Sequence, residues 1–277
     1  MDNLLVLLFI GFGVGALGTL IGAGGGFLLV PILIIAHPEL SPDIITAISI
    51  AIVAANAISG SYAYSRSERI DYKAGIVFAL FTIPGSILGV YTTAYIPKVA
   101  FHIVFGLLLI ALAAFLFFSK KDAPIRGVKF SVLKKKYKHH ILTDREGVTY
   151  DYTYNQNTGI LISVLVGYIS PLLGIGGGII HVPALVGWLN FPVHVATATS
   201  HFILAVMSTV SVITHIFEGS YKDPHVLRMV LLIGAGAVGG AQLGAFLSHK
   251  IKGNSIIRSL AVCLALVGFR ILFGNHH

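Results

Sequence analysis

Two ten-residue stretches carry the most distinctive chemistry in this chain: GAGGGFLLVP at residues 22–31 and GIGGGIIHVP at residues 174–183. Each places three consecutive glycines inside an apolar segment: Gly24, Gly25 and Gly26 in the first, Gly176, Gly177 and Gly178 in the second. Each glycine weakens a helix by roughly 1 kcal/mol relative to alanine. Pro31 and Pro183 add to the break by removing a backbone donor. In hydrocarbon, a broken backbone is tolerated only where protein or a water-filled cavity covers its polar groups. The expected result is a discontinuous helix beside a polar cavity, where N–H groups at a half-helix start hold an anion without a fixed positive charge. The competing use of such runs is close helix packing through small residues. A dinucleotide loop fits poorly, because Phe27 stands where the last glycine of that motif belongs.

Ionisable side chains inside the apolar segments are few, and they are functional suspects by default. Ser49 and Asn56 share one helix face at heptad spacing. Ser200 and His201 lie in a later segment, His201 on one face with Ser208 and His215. His181 follows the second glycine run, and Gln242 lies within residues 225–249. The candidate substrate contacts are therefore the six run glycines with Ser49, Asn56, His181, Ser200, His201 and Gln242. His201 and His181 are also the candidates for proton coupling, since histidine titrates near neutral pH. For each of these side chains the alternative is an inter-helix hydrogen bond, worth about 0.6–2 kcal/mol in membranes. His215, near a segment end, is expected at the interface.

No carboxylate falls inside an apolar segment, and none is expected to be buried. Acidic rings that select cations are thereby disfavoured. Neutral donors, half-helix starts and titratable histidines favour an anion. Other classes have weaker support. A membrane-embedded hydrolase needs a nucleophile, a base and a stabilising site, yet Ser200 and His201 are adjacent and no G-x-S-x-G elbow occurs. A histidine-dependent metal transporter or metalloenzyme would draw on His194 and His201, but clustered ligands at metal spacing are missing. A non-transporting membrane sensor is the third alternative. No cofactor, resident metal or enzymatic reaction is expected.

The elements that must position these groups follow from composition. Of 277 residues, 56% are apolar and 11% charged, against about a quarter charged in soluble domains. Apolar segments fall near 3–22, 27–36, 44–65, 74–95 and 99–118, then near 159–175, 179–189, 195–217, 225–249 and 254–273. Most reach the roughly 20 residues a bilayer crossing requires; 27–36 and 179–189 do not. The fold class is an all-α polytopic membrane protein. The first segment lacks the basic n-region of a secretory signal and is expected to stay as a membrane helix.

The chain also repeats itself. The two glycine motifs align without gaps, TAIS at 46–49 aligns with TATS at 197–200, and PGSILG at 84–89 aligns with GGAQLG at 239–244. Three ordered matches predict two homologous repeats, residues 1–118 and 159–277, each with four to five transmembrane segments and one glycine-broken helix. Short, glycine-interrupted segments at matching positions mark a transporter's midplane binding site. In this alignment His201 faces Ile50, and Asn56 faces Met207, so the polar lining is asymmetric.

Residues 119–158 join the repeats and carry nine basic and four acidic side chains. By the positive-inside rule this connector lies in the cytoplasm beside anionic headgroups, and it is not a nucleic-acid footprint. Positive charge near the segment ends modestly favours inverted repeats over parallel ones. Within the connector, VKFSVL (128–133) and TYDYTY (149–154) are expected to pair as short strands.

On the paired glycine motifs GAGGGFLLVPIL and GIGGGIIHVPAL, with the TAIS/TATS and PGSILG/GGAQLG segments, the chain resembles the sulfite exporter TauE/SafE family, also called the toluene sulfonate uptake permeases. The resemblance covers both repeats but not the 119–158 connector. It implies secondary transport of a small anion, sulfite or another sulfur oxyanion or organosulfonate, across a prokaryotic cell (inner) membrane.

Overall fold

The computed structural model describes residues 3–118, 137–248, 250, 261–262 and 264–271. In chain order the elements are α1 (Leu4–Ile21), α2 (Gly26–Ala36), α3 (Pro42–Arg66), α4 (Tyr72–Thr93) and α5 (Lys98–Phe118). A hairpin of β1 (Tyr137–Thr143) and β2 (Thr149–Asn155) follows. Then come α6 (Gln156–Leu173), α7 (Gly178–Gly187), α8 (Val193–Glu218) and α9 (Pro224–Ser248). Residues 264–271 are also helical. The membrane part is thus all-α, as its composition predicts.

Six helices (α1, α3, α4, α6, α8 and α9) are long and apolar enough to cross a bilayer. Their burial runs opposite to that of a soluble protein. Phe9, Leu80, Leu161 and Leu231 are exposed on outward faces, whereas Thr19, Ser49, Asn56, Ser200 and His201 are completely buried. Lipid solvates the first group; the polar groups must find partners within the protein.

Small residues set which helices touch. α1 and α9 run side by side in the same direction. A Cβ on Gly236, Gly240 or Gly244 would strike the backbone of Leu8, Phe12 or Ala16, respectively. α4 and α6 pack the same way, through Gly85, Gly89 and Gly167. With little hydrophobic drive between helices in lipid, such close approach is what holds them. The first helix of each half therefore packs on the fourth of the other. α3 and α8 pass each other in opposite directions: Tyr221, just beyond α8, bonds Ala47 near the start of α3, while His201 near the start of α8 abuts Gly60.

Helix ends follow their local sequence. Asn3 and Asn155 cap α1 and α6 by accepting the amides of Leu5 and Asn157. Both helices then end in left-handed glycines, Gly22 (φ +80°) and Gly174 (φ +68°), a conformation that other residues rarely adopt. After Gly22 the chain doubles back, so that Gly25 lies against Val14 of α1.

The hairpin corrects one expectation. TYDYTY does form a strand, but its partner is Tyr137–Thr143, with Tyr137 opposite Asn155 and Thr143 opposite Thr149. A tight turn at Asp144–Gly147 imposes this nearer pairing: the Asp144 carboxylate accepts the amides of Glu146 and Val148, and Gly147 is left-handed. VKFSVL lies outside the described residues. The first turn of α6, at Gln156–Thr158, continues directly from β2.

Candidate functional site

The two glycine runs meet. Ser49 on α3 donates to the Gly174 carbonyl at 2.6 Å, and Ser200 on α8 donates to the Gly22 carbonyl at 3.3 Å. Each serine thus ties its own half to the helix end of the other. A Cβ on Gly26 would overlap the Gly174 carbonyl, and one on Gly178 the Gly22 carbonyl. The N-terminus of α2 therefore abuts the C-terminus of α6, and that of α7 abuts the C-terminus of α1. Positive helix ends face negative ones, which lowers the cost of burying both. Gly24 and Gly176 both press on Val53. The runs are buried in direct contact in this arrangement, so their lack of Cβ atoms is used for close approach.

Polarity around this crossing is one-sided. Thr19 of α1 donates to Asn56 Oδ1 at 2.9 Å, and Asn56 Nδ2 donates to the Gly24 carbonyl at 3.1 Å. His201 Nε2 lies 3.2 Å from the same Thr19 hydroxyl. Tyr64 donates its hydroxyl to the Thr19 carbonyl at 2.8 Å and sets its ring edge-on to His201, 5.7 Å between centroids. Gly60 makes room for the imidazole, since a Cβ there would come within 2.5 Å of it.

The network fixes its own proton positions. A carbonyl only accepts, so Gly24 orients the Asn56 amide, and Asn56 Oδ1 then takes the Thr19 proton. The Thr19 oxygen can only accept from His201, which puts a hydrogen on Nε2. That leaves Nδ1 of a neutral imidazole as a buried acceptor without a hydrogen-bond partner among the described residues, and the Gly22 carbonyl beside the ring can only accept. Such an orphan is uncommon and makes the imidazole a candidate contact. If Nδ1 gains a proton, it becomes a cationic donor aimed from a dry site. The residues aligned with Thr19, Asn56 and His201 are Pro171, Met207 and Ile50, which can do none of this. Ser170 is polar there, its buried hydroxyl without a partner among the described residues and near Gly177.

The remaining candidates lie elsewhere. His181 is buried between α7 and α6, its Nε2 3.4 Å from the Ser163 hydroxyl. Gln242 sits on an exposed part of α9 and donates to the carbonyl and hydroxyl of Ser59, tying α9 to α3. Ser208 bonds the Leu204 carbonyl of its own helix. His215, expected at the interface, is instead buried under Tyr221, its Nδ1 3.1 Å from Ser220. The turn after α8 folds back over that face. Thr19, Gly60 and Tyr64 escape sequence reasoning, because a lone hydroxyl, glycine or tyrosine in an apolar helix has no pattern to mark it.

Two carboxylates are buried, against the expectation that none would be, and both lie beside the hairpin. Asp71 caps α4 by accepting the Ala74 amide, and its other oxygen is 2.7 Å from both the Tyr152 hydroxyl and His140 Nδ1. The Asp71 amide donates to Thr199, next to Ser200 and His201. Asp144 pairs with Arg69 at 2.9 Å. Burial alone would raise the Asp144 pKa, but Arg69 and the Val148 amide outweigh it and hold the carboxyl below the usual range. Burial, reinforced by the neighbouring Asp71 charge, pushes the Tyr152 hydroxyl well up and that of Tyr154 to about 12. Burial of these charges is possible because each has a partner. Among the described residues, no three His, Cys, Asp or Glu side chains are placed to hold a metal ion.

An apolar outer surface around a buried polar crossing of broken helices is the build of a polytopic membrane transporter. The chain belongs to the sulfite exporter TauE/SafE family, whose model matches residues 7–271. It is 29% identical to a protein of Bacillus subtilis named "Probable membrane transporter protein YunE", over 98% of both chains. A Methanocaldococcus jannaschii protein, also named a probable membrane transporter protein, is 27% identical over 96% of this chain and 94% of its own. YdhB of Bacillus subtilis, named likewise, is 24% identical over 97% of this chain and all of its own. No solved structure matches the chain. The protein is accordingly a membrane transporter, multi-pass in the prokaryotic cell membrane.

Proposed function

We propose that the protein is a secondary transporter for a small anion, a sulfur oxyanion such as sulfite or an organosulfonate, with export as its working direction. Its site is the crossing of the two glycine-broken helices. The observation that carries this reading is the Thr19–Asn56–His201 network beside the first glycine run, with His201 Nδ1 buried and without a partner among the described residues. An oxyanion that is protonated, or that arrives with a proton, satisfies that nitrogen. Ser200 and the starts of α2 and α7 add neutral donors once the crossing opens. The helix ends at this crossing make it a fit place for an opening step, since among the described residues few side-chain hydrogen bonds join the halves there: Ser49 to Gly174, Ser200 to Gly22, and Thr19 with His201.

Two repeats, residues 1–118 and 159–277, joined by a cytoplasmic connector at 119–158, make the framework. The opposite courses of α3 and α8 support an inverted relation between them. Export is favoured on energetic grounds: an inside-negative potential drives an anion outward by about 2.3 kcal/mol per charge per 100 mV. No coupling ion is needed in that direction.

The test is anion flux in proteoliposomes, comparing sulfite, thiosulfate, sulfoacetate, taurine and chloride under imposed pH and voltage gradients. Selective flux of one sulfur anion, accelerated by a potential negative on the loading side, is expected. Folded protein that moves none of them would remove the substrate assignment.

A further inference from the structure

The tip of the hairpin meets the membrane body at the end of α3. A cavity of about 420 Å³ lies there, lined by Ala63, Arg66, Ser67, Arg69, Arg145 and Glu146. It joins two parts of the chain: the end of α3 with the turn after it, and the tip of the hairpin. The two are locked together by the Arg145 amide on the Ser67 carbonyl and by the Arg69–Asp144 pair.

The three guanidinium groups are in different states. Arg69 is buried, and its charge is met by Asp144 and Glu146, at 2.9 and 3.3 Å. Arg66 and Arg145 form no ion pair among the described residues. Arg66 is held by its own helix neighbour, its guanidinium lying 5.3 Å from the Tyr62 ring centroid, which orients it without neutralising it. Glu146 is drawn towards Arg69, so the two uncompensated charges of the cavity are both arginines from different elements. A planar guanidinium presents paired N–H groups that match an oxyanion bidentately.

We propose that this cavity is an oxyanion-binding site, taking a phosphate- or sulfate-type group between Arg66 and Arg145. Bound there, the anion bridges α3 to the hairpin and fastens the connector to the membrane body. The site is distinct from the buried crossing of the glycine runs, and its existence does not depend on what the protein transports. The anion has two sources, a free inorganic ion or the phosphate of an anionic lipid, since the positive-inside rule sets this face beside anionic headgroups.

The experiment measures thermal unfolding of the full-length purified protein in detergent with added inorganic phosphate, alongside direct phosphate binding by calorimetry. In a second arm, nanodiscs of phosphatidylglycerol are compared with nanodiscs of phosphatidylcholine. Phosphate should raise the melting temperature of the wild type, and Arg66→Gln and Arg145→Gln should each weaken phosphate binding about tenfold or more. Arg66→Lys keeps the charge but loses the fork, and serves where the Gln variant folds poorly; it should also weaken binding. Lys73→Gln, an exposed cation on the same face that does not line the cavity, should change nothing. A stabilisation confined to phosphatidylglycerol and abolished in both Gln variants assigns the site to a headgroup and upholds the proposal. It is overturned if neither phosphate nor phosphatidylglycerol stabilises the wild type, or if Lys73→Gln loses as much as the arginine variants.

Discussion

Asn56 and Thr19 hold one another, the Gly24 carbonyl and the edge of His201 in a single chain of hydrogen bonds. Replacing Asn56 by the Met aligned with it at position 207 keeps the number of side-chain heavy atoms, in a bulkier chain, but removes both the acceptor for Thr19 and the donor to the Gly24 carbonyl. Asn56→Met should lower anion flux in proteoliposomes at least about tenfold, a loss equivalent to about 1.4 kcal/mol. The folded protein should remain, because each of the two hydrogen bonds lost is worth only about 0.6–2 kcal/mol in a membrane. His201 tests the proton directly. If its Nδ1 must be protonated to hold the anion, wild-type flux rises on acidification, and His201→Gln, unable to titrate, gives a lower flux that no longer varies with pH. A Gln variant that keeps the wild-type pH profile would show that the proton sits elsewhere. Much of this site is legible in the sequence. Ser49 and Ser200 stand at matching positions downstream of matching glycine runs, and each bonds the opposite run. Gln242 is the counter-example: its polar character in an apolar helix is evident, but whether it turns inward depends on how α9 packs.

At the scale of elements, backbone contact dominates. Gly26 and Gly178 begin the two half-helices and lie against opposite carbonyls, where there is no room for a methyl group. Gly26→Ala and Gly178→Ala should each destabilise the protein by about 1–3 kcal/mol, the usual cost of overpacking, read as a lower unfolding midpoint in detergent. Gly13, with nothing near its missing Cβ, is the control, and Gly13→Ala should be neutral or slightly stabilising. The hairpin is a separate unit in this respect. Arg69→Gln strands the buried Asp144 carboxylate, at a local cost of about 3–5 kcal/mol. It should free the hairpin, seen as faster hydrogen exchange or proteolysis at residues 137–155, while the membrane helices stay protected. The pH dependence has a definite sign. Asp144 ionises more readily docked than undocked, so its contribution is complete above the ordinary carboxylate pKa and fades as pH falls through the lowered one. Hairpin protection should therefore persist through mild acid and fail only below about pH 4.

Taken as a whole, the molecule joins two halves through exchange: the first helix of each lies on the fourth of the other, and each glycine turn is tied by a serine from across the crossing. Neither half could bury its own glycine turn, so the halves are expected to unfold together in denaturant, with the hairpin leaving first. The sequence by itself determined the membrane class, the helix positions and the family, because apolar runs of crossing length and distinctive motifs are local properties written in residue order. It also marked the glycine runs and the serines that serve them. Tertiary structure alone decided which helices touch, since glycine shows where a backbone can be approached but not by which partner. It recruited Thr19, Gly60 and Tyr64 to His201, set His181 apart on Ser163, and put Gln242 on Ser59 at the seam of α9 with α3. It also buried Asp71 and Asp144 under a connector whose charge suggested only a solvated loop. Those outcomes depend on partners that lie 18 to 183 residues away along the chain, and no local pattern specifies a contact at that range.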